Sequence, residues 1–119
     1  MKKQSLNPSE HSIQTQIINY LKYKGWYVQR LNSGRMPYEY KGRKGFMMLA
    51  EKGTPDIFAF RKGTTIAGKF KQVRLLFIEV KREGNKPTLA QQHKMEELSE
   101  KGAVCLVATS IEDVQEQGY

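Results

Sequence analysis

Leu75-Leu76-Phe77-Ile78 runs directly into Glu79-Val80-Lys81, and this stretch constrains the fold more than any other. Four consecutive apolar residues suit a strand buried on both faces. A carboxylate and an ammonium are expensive there unless they are paired or bound to metal. Side chains alternate along a strand, so Glu79 and Lys81 share a face, with Cα atoms roughly 6.5 Å apart. Both stand at the strand's C-terminal end, where open α/β sheets tend to place ligands. The fold must therefore bury this run and still compensate two charges.

The flanking patterns supply the rest of the sheet. Asn7-Pro8-Ser9-Glu10 reads as a helix start, with Asn7 as cap and Glu10 three residues on. Ile13, Ile17 and Leu21, with Tyr20 at the margin, form the helix's apolar stripe, and Gly25 is its stop. Residues 26–31 alternate as a strand. Residues 32–53 read as a basic, glycine-punctuated loop or loose hairpin, with 46–50 open between a short strand and a turn of helix. Pro55–Phe60 is a second strand, 61–74 a basic hairpin connection and 75–81 the central strand. Thr88 opens a helix with Met95 and Leu98 on its inner side and Gly102 after its end. Residues 103–109 form an apolar strand, which after such a helix suits a parallel crossover beside the central one. The structure of the acidic end, 111–119, stays open. The order α-β-β-β-α-β implies an α/β fold with a mixed central sheet flanked by helices. The chain's 119 residues suit one domain spanning 1–119.

Charge narrows the partners. The net charge is +8, with eighteen of the twenty Lys and Arg inside residues 1–86, whereas the chain from Glu96 onward holds six acids against Lys101 alone. Such segregation points to one basic face and a polyanionic partner. Cys105 is the only cysteine and sits in an apolar run, which excludes an intrachain disulfide and fits a reducing compartment. No apolar stretch reaches signal-peptide or membrane-span length, so a soluble, cytoplasmic protein is expected.

Asp56 follows a proline at the start of the neighbouring strand, and a hairpin register could set its carboxylate beside Glu79. Two adjacent carboxylates repel unless one takes a proton or a divalent cation sits between them. A lysine beside them can hold a water and offset charge developing on a phosphate. Acid, acid and lysine together suit metal-assisted phosphodiester hydrolysis. Plainer readings stand beside this one: a same-face ion pair for Glu79 and Lys81, and capping boxes for Asn7 with Glu10 and for Thr88 with Gln91.

Pro55-Asp56 followed by Glu79-Val80-Lys81 at the end of an apolar strand resembles the PD-(D/E)XK nuclease signature. Glu10 with Ile13-Gln14, Arg30-Leu31-Asn32-Ser33-Gly34, Gly53-Thr54-Pro55-Asp56 and Glu79-Val80-Lys81-Arg82 followed by Thr88-Leu89-Ala90-Gln91 together resemble the VRR-NUC family of virus-type replication-repair nucleases, over roughly residues 9–108. One departure is Lys52-Gly53-Thr54 where many relatives have a glycine-aromatic pair. The resemblance implies a restriction-endonuclease-like core. It also implies Asp56, Glu79 and the Val80 carbonyl as ligands of Mg²⁺ or Mn²⁺, with Glu10 approaching the metal directly or through water. Lys81 would position the attacking water, and Gln91 would face the site.

The expected function is a metal-dependent, structure-selective DNA endonuclease acting on branched or four-way junction DNA. The resemblance implies cuts that leave 5′ phosphates, and paired cuts across a junction would call for a homodimer. Stand-alone chains of this size resemble virus- or prophage-encoded members. Phosphate contacts are expected from Arg30, Asn32, Arg35, Lys41, Arg43, Lys44, Arg82 and Lys86. Gln14 is divided between a DNA contact and a solvated helix face. Two alternatives remain: a non-catalytic basic nucleic-acid-binding module, and a flap or restriction-like nuclease.

Overall fold

The computed structural model describes residues 8–31, 35–48, 50–63 and 72–119. Helix α1 (Glu10–Tyr23) is followed by strands β1 (Tyr27–Arg30), β2 (Arg35–Tyr40), β3 (Arg43–Met48), β4 (Ile57–Lys62) and β5 (Val73–Val80). Helix α2 (Leu89–Glu100), strand β6 (Val104–Ala108) and helix α3 (Ile111–Glu116) complete the chain. Four strands form one sheet in the order β1-β4-β5-β6, with β5 and β6 parallel and the other two pairs antiparallel. Helix α2 lies between these two parallel strands in sequence, so β5-α2-β6 is a crossover unit. The expected α-β-β-β-α-β order is therefore present as α1-β1-β4-β5-α2-β6, with the β2–β3 hairpin inserted and α3 appended.

Helix α1 begins two residues later than the sequence suggests. Ser9 is its N-cap and its side chain accepts from the Ser12 amide, which puts Glu10 at the first helical position. Glu10 therefore does not close a capping box with Asn7, which lies outside the described residues. The helix ends in a Schellman motif: Trp26 N–H donates to Leu21 O and Gly25 N–H to Lys22 O. Gly25 takes the left-handed conformation this closure requires, at φ 93°. Ile13, Ile17 and Leu21 are buried as the spacing predicts.

Those residues pack on one sheet face, formed by Val28, Ile57, Ala59, Leu76, Ile78, Val80, Leu106 and Ala108. Val114 of α3 completes this core, so the acidic C-terminus is a capped helix with a core anchor. The other face is covered less fully. Helix α2 packs mainly on β6 and has no fully buried residue; Met95 and Leu98 on its inner side are half-buried. The central strand is accordingly not sealed on both sides along its length: Leu75 is 38% exposed and Phe77 half-buried, whereas Ile78, Glu79 and Val80 are buried. Double-sided burial is confined to the end that carries the charges.

Residues 35–48, expected as a loop or loose hairpin, form two paired strands joined by the two-residue turn Lys41-Gly42. Both turn residues have positive φ, 49° and 76°, as a type I′ turn demands. This hairpin is a separate sheet, and none of its described side chains joins the buried core. The basic 61–74 connection is partly absorbed into β4 and β5, and its middle lies outside the described residues. No helix among the described residues is long and apolar enough to cross a membrane.

Candidate active site

The antiparallel register of β4 and β5 pairs Ile57 with Ile78. One step further, Asp56 stands opposite Glu79. Alternation puts both carboxylates on the sheet face away from the α1 core, beside Lys81 and under the start of α2. Glu79 is 2% exposed. Its Oε1 accepts from Gln91 Nε2 at 2.9 Å and lies 3.8 Å from Lys81 Nζ. Its Oε2 is buried with no hydrogen-bond partner. Asp56 is half-buried, and its Oδ2 accepts from the Val80 amide at 2.7 Å.

The electrostatics follow from this crowding. Burial, then the neighbouring Asp56 charge, push the Glu79 carboxyl up to about 8 against the opposing pull of Lys81. Burial also raises Asp56, against the stabilising Val80 N–H. Both donors near Glu79 address Oε1, so Oε2 is the atom left to carry a proton or to bind a cation. Glu10 stands further off: its charge raises both carboxyls. No trio of His, Cys, Asp or Glu among the described residues could hold a metal between them. Asp56 and Glu79 form a two-carboxylate set, which is the usual protein share of a magnesium shell completed by water and substrate oxygens.

Gln91 does two things at once. Its Oε1 accepts from the Thr88 amide at 2.8 Å while Thr88 Oγ1 accepts from the Gln91 amide, a complete capping box. Because the amide oxygen is engaged at the cap, the NH₂ end must face Glu79, which fixes the side-chain orientation.

The loop that delivers Asp56 leans on the same helix. Gly53 is buried at φ 87°, and a Cβ there would lie 2.5 Å from the Ala90 carbonyl oxygen. Glu51 pairs with Lys94 one turn further along α2. Sequence reasoning did not single out Glu51 or Lys94, because a contact between residues 43 positions apart leaves no local pattern. Gly53 in front of Thr54-Pro55-Asp56 was the available signal of a close approach.

The expected phosphate-contacting residues divide. Gln14 is half-buried one turn after Glu10 on α1. Arg30 is also half-buried and turns toward α1, donating from Nη2 to Thr15 Oγ1 at 3.1 Å, on the sheet face opposite the carboxylates. Arg82 and Lys86 lie in the turn after Lys81. Lys41, Arg43 and Lys44 are exposed on the hairpin, apart from the carboxylate cluster in the fold. Asn32 and the side chain of Arg35 lie outside the described residues. Two surface depressions, one on the hairpin and one between α2 and β6, lie away from the carboxylates. The carboxylate cluster is the better candidate site because its chemistry, not its concavity, is unusual.

No family model matches the sequence, and no curated protein matches it. A solved structure described as a VRR_NUC domain superposes with a TM-score of 0.59, covering 92% of this chain and 96% of that one at 22% identity. Likeness at that identity speaks for architecture alone. The chain has the fold of a VRR_NUC domain.

Proposed function

We propose that the protein is a Mg²⁺- or Mn²⁺-dependent endonuclease that hydrolyses phosphodiester bonds in branched DNA, acting as a homodimer. The observation that carries this reading is the Glu79 carboxylate. One oxygen accepts from Gln91 and lies near Lys81, the other is buried and unpartnered, and the neighbouring Asp56 charge opposes ionisation further. A buried polar atom without a partner is costly, and a hard cation satisfies both acids together.

A divalent ion held by Asp56 and Glu79, with the Val80 carbonyl, would supply Lewis-acid stabilisation of charge on the phosphate and on the leaving oxygen. Lys81 donates to the attacking water and orients it toward phosphorus, and its charge offsets the negative charge that grows there. Gln91 holds Glu79 Oε1 in place and leaves Oε2 for the site. Glu10, at the start of α1, adds negative potential that favours a cation and can reach it through water. The fold of a VRR_NUC domain supports the assignment to nucleic-acid cleavage, and the charge of +8 supports a polyanionic substrate.

The test is nicking of a four-way junction, a flap, a nicked duplex and a linear duplex, with Mg²⁺, Mn²⁺ or EDTA. Wild type should cut the branched DNAs only with the cation and leave 5′ phosphates. Lys81→Ala should lower the rate by about 10²-fold or more while junction binding survives. Binding without cutting under either cation would make the protein a non-catalytic basic module, and preferential cutting of the flap or the linear duplex would reassign its substrate.

A further inference from the structure

The β2–β3 hairpin is left with no structural task. A two-stranded hairpin is marginal in water without a surface to pack on, yet this one exposes Met36 (54%), Tyr38 (46%), Tyr40 (67%) and Met47 (51%). Its register puts Tyr38 opposite Gly45 and Tyr40 opposite Arg43 on one face, with the Met36–Met47 pair behind them.

Tyr38 is held in a defined pose. Its ring lies across Gly45, where a Cβ would meet ring carbons at 3.0 Å and the hydroxyl at 2.9 Å. A glycine inside a strand weakens pairing unless a close approach needs it; here it seats an aromatic ring whose other side faces solvent. Tyr40 stands next on the same face, and Lys41 Nζ lies 5.5 Å from its ring centroid.

The charge around these rings selects among occupants. Lys41, Arg43 and Lys44 surround the tip, and the single acid of the hairpin, Glu39, stands opposite Lys44. Interfaces between protein copies are depleted of charge at their centre, whereas here Lys41 and Arg43 stand beside the two rings, with Lys44 on the opposite face of the same hairpin, on a chain of net charge +8. Rings among cations suit a nucleic acid whose bases are exposed for stacking. In sequence the arm is flanked by the candidate site: Leu31, four residues before β2, donates its amide to Asp56 O at 2.7 Å, and the segment after β3 leads to Asp56.

We propose that this hairpin is a base-stacking arm, in which Tyr38 and Tyr40 receive bases that have left the duplex while Lys41, Arg43 and Lys44 hold the adjoining phosphates. The proposal rests on the nucleic-acid substrate of the preceding section and deepens it: the substrate is DNA with unpaired bases near the target phosphate.

The experiment measures binding in EDTA, where no cleavage is possible, so it is independent of the catalytic reading. A fluorescent duplex and the same duplex carrying an unpaired arm are titrated over a series of KCl concentrations. Tyr38→Ala/Tyr40→Ala should lose about 10-fold or more of the preference for the branched DNA, with the salt slope unchanged. Tyr38→Phe should keep the preference. Lys41→Ala/Arg43→Ala/Lys44→Ala should weaken both DNAs and flatten the slope by roughly 2–3. An unchanged preference in the tyrosine variant overturns the arm even if cleavage is later found. So does conversion of a dimer to a monomer in sedimentation, which would assign the rings to a second copy. Arm-dependent binding by a protein that never cuts would instead leave the arm standing and remove the nuclease.

Discussion

At the scale of single residues, the account turns on a glutamate whose burial and neighbours oppose its ionisation. The folded protein holds a proton on Glu79 up to about pH 8, against an ordinary value of 4.5. Between those values the folded state binds more protons than the unfolded one, so the contribution is fully present below about pH 4.5 and is lost as pH rises through 8. In EDTA, wild type should lose up to about 4 kcal/mol relative to Glu79→Gln between pH 5 and pH 8.5, read from chemical denaturation at each pH. Parallel pH profiles for the two proteins would refute the shift. This residue-level chemistry was legible beforehand, because charge at the end of an apolar run is anomalous in any sheet. Gln91 was legible too, and both readings of it hold: Thr88-x-x-Gln91 is a cap, and the same side chain reaches Glu79. The Glu51–Lys94 pair was not, since it depends on how a loop meets a helix.

At the scale of elements, the loop before β4 and the arm differ in how firmly they are held. Gly53 combines positive φ with contact to α2, so Gly53→Ala should destabilise by about 1–3 kcal/mol or more and lower cleavage by moving Asp56. Denaturant melts and initial rates check both halves; an unaltered melt would show that the loop gives way freely. The hairpin turn carries the opposite lesson. Lys41 sits at φ 49°, where asparagine is preferred, so Lys41→Asn should slow amide exchange across residues 35–48, worth about 0.5–1 kcal/mol locally, with little change in global Tm. Faster exchange there would contradict the turn assignment. That lysine also explains why the strands were hard to see: a Lys-Gly turn lacks the usual asparagine signal, and Pro37 and Gly45 interrupt the strand pattern. Helix α3 was hidden for a simpler reason, since six residues are too few to show helical periodicity.

At the scale of the molecule, two different surfaces lie on the two sides of one sheet. The α1 and α3 side is a closed apolar core; its α1 residues Ile13, Ile17 and Leu21 followed from periodicity, whereas Val114 of α3 did not. The other side is open around Phe58, Phe60, Leu75 and Phe77, because α2 sits toward β6. Only at its end, where Gln91 and the Gly53 loop come together over Glu79, is the site enclosed. The expectation of a strand buried on both faces therefore held only locally, and the local part is where the carboxylates are. Glu79 Oε2 lies in that enclosed part, buried and without a protein partner. The most direct measurement is calorimetric titration of Mn²⁺ into the protein at pH 7.5, with Asp56→Asn and Glu79→Gln as controls. The account predicts ion uptake by wild type with release of a proton, tighter binding as pH rises toward 8.5, and loss of binding in either variant; binding that survives both substitutions, or no binding by wild type, would contradict it.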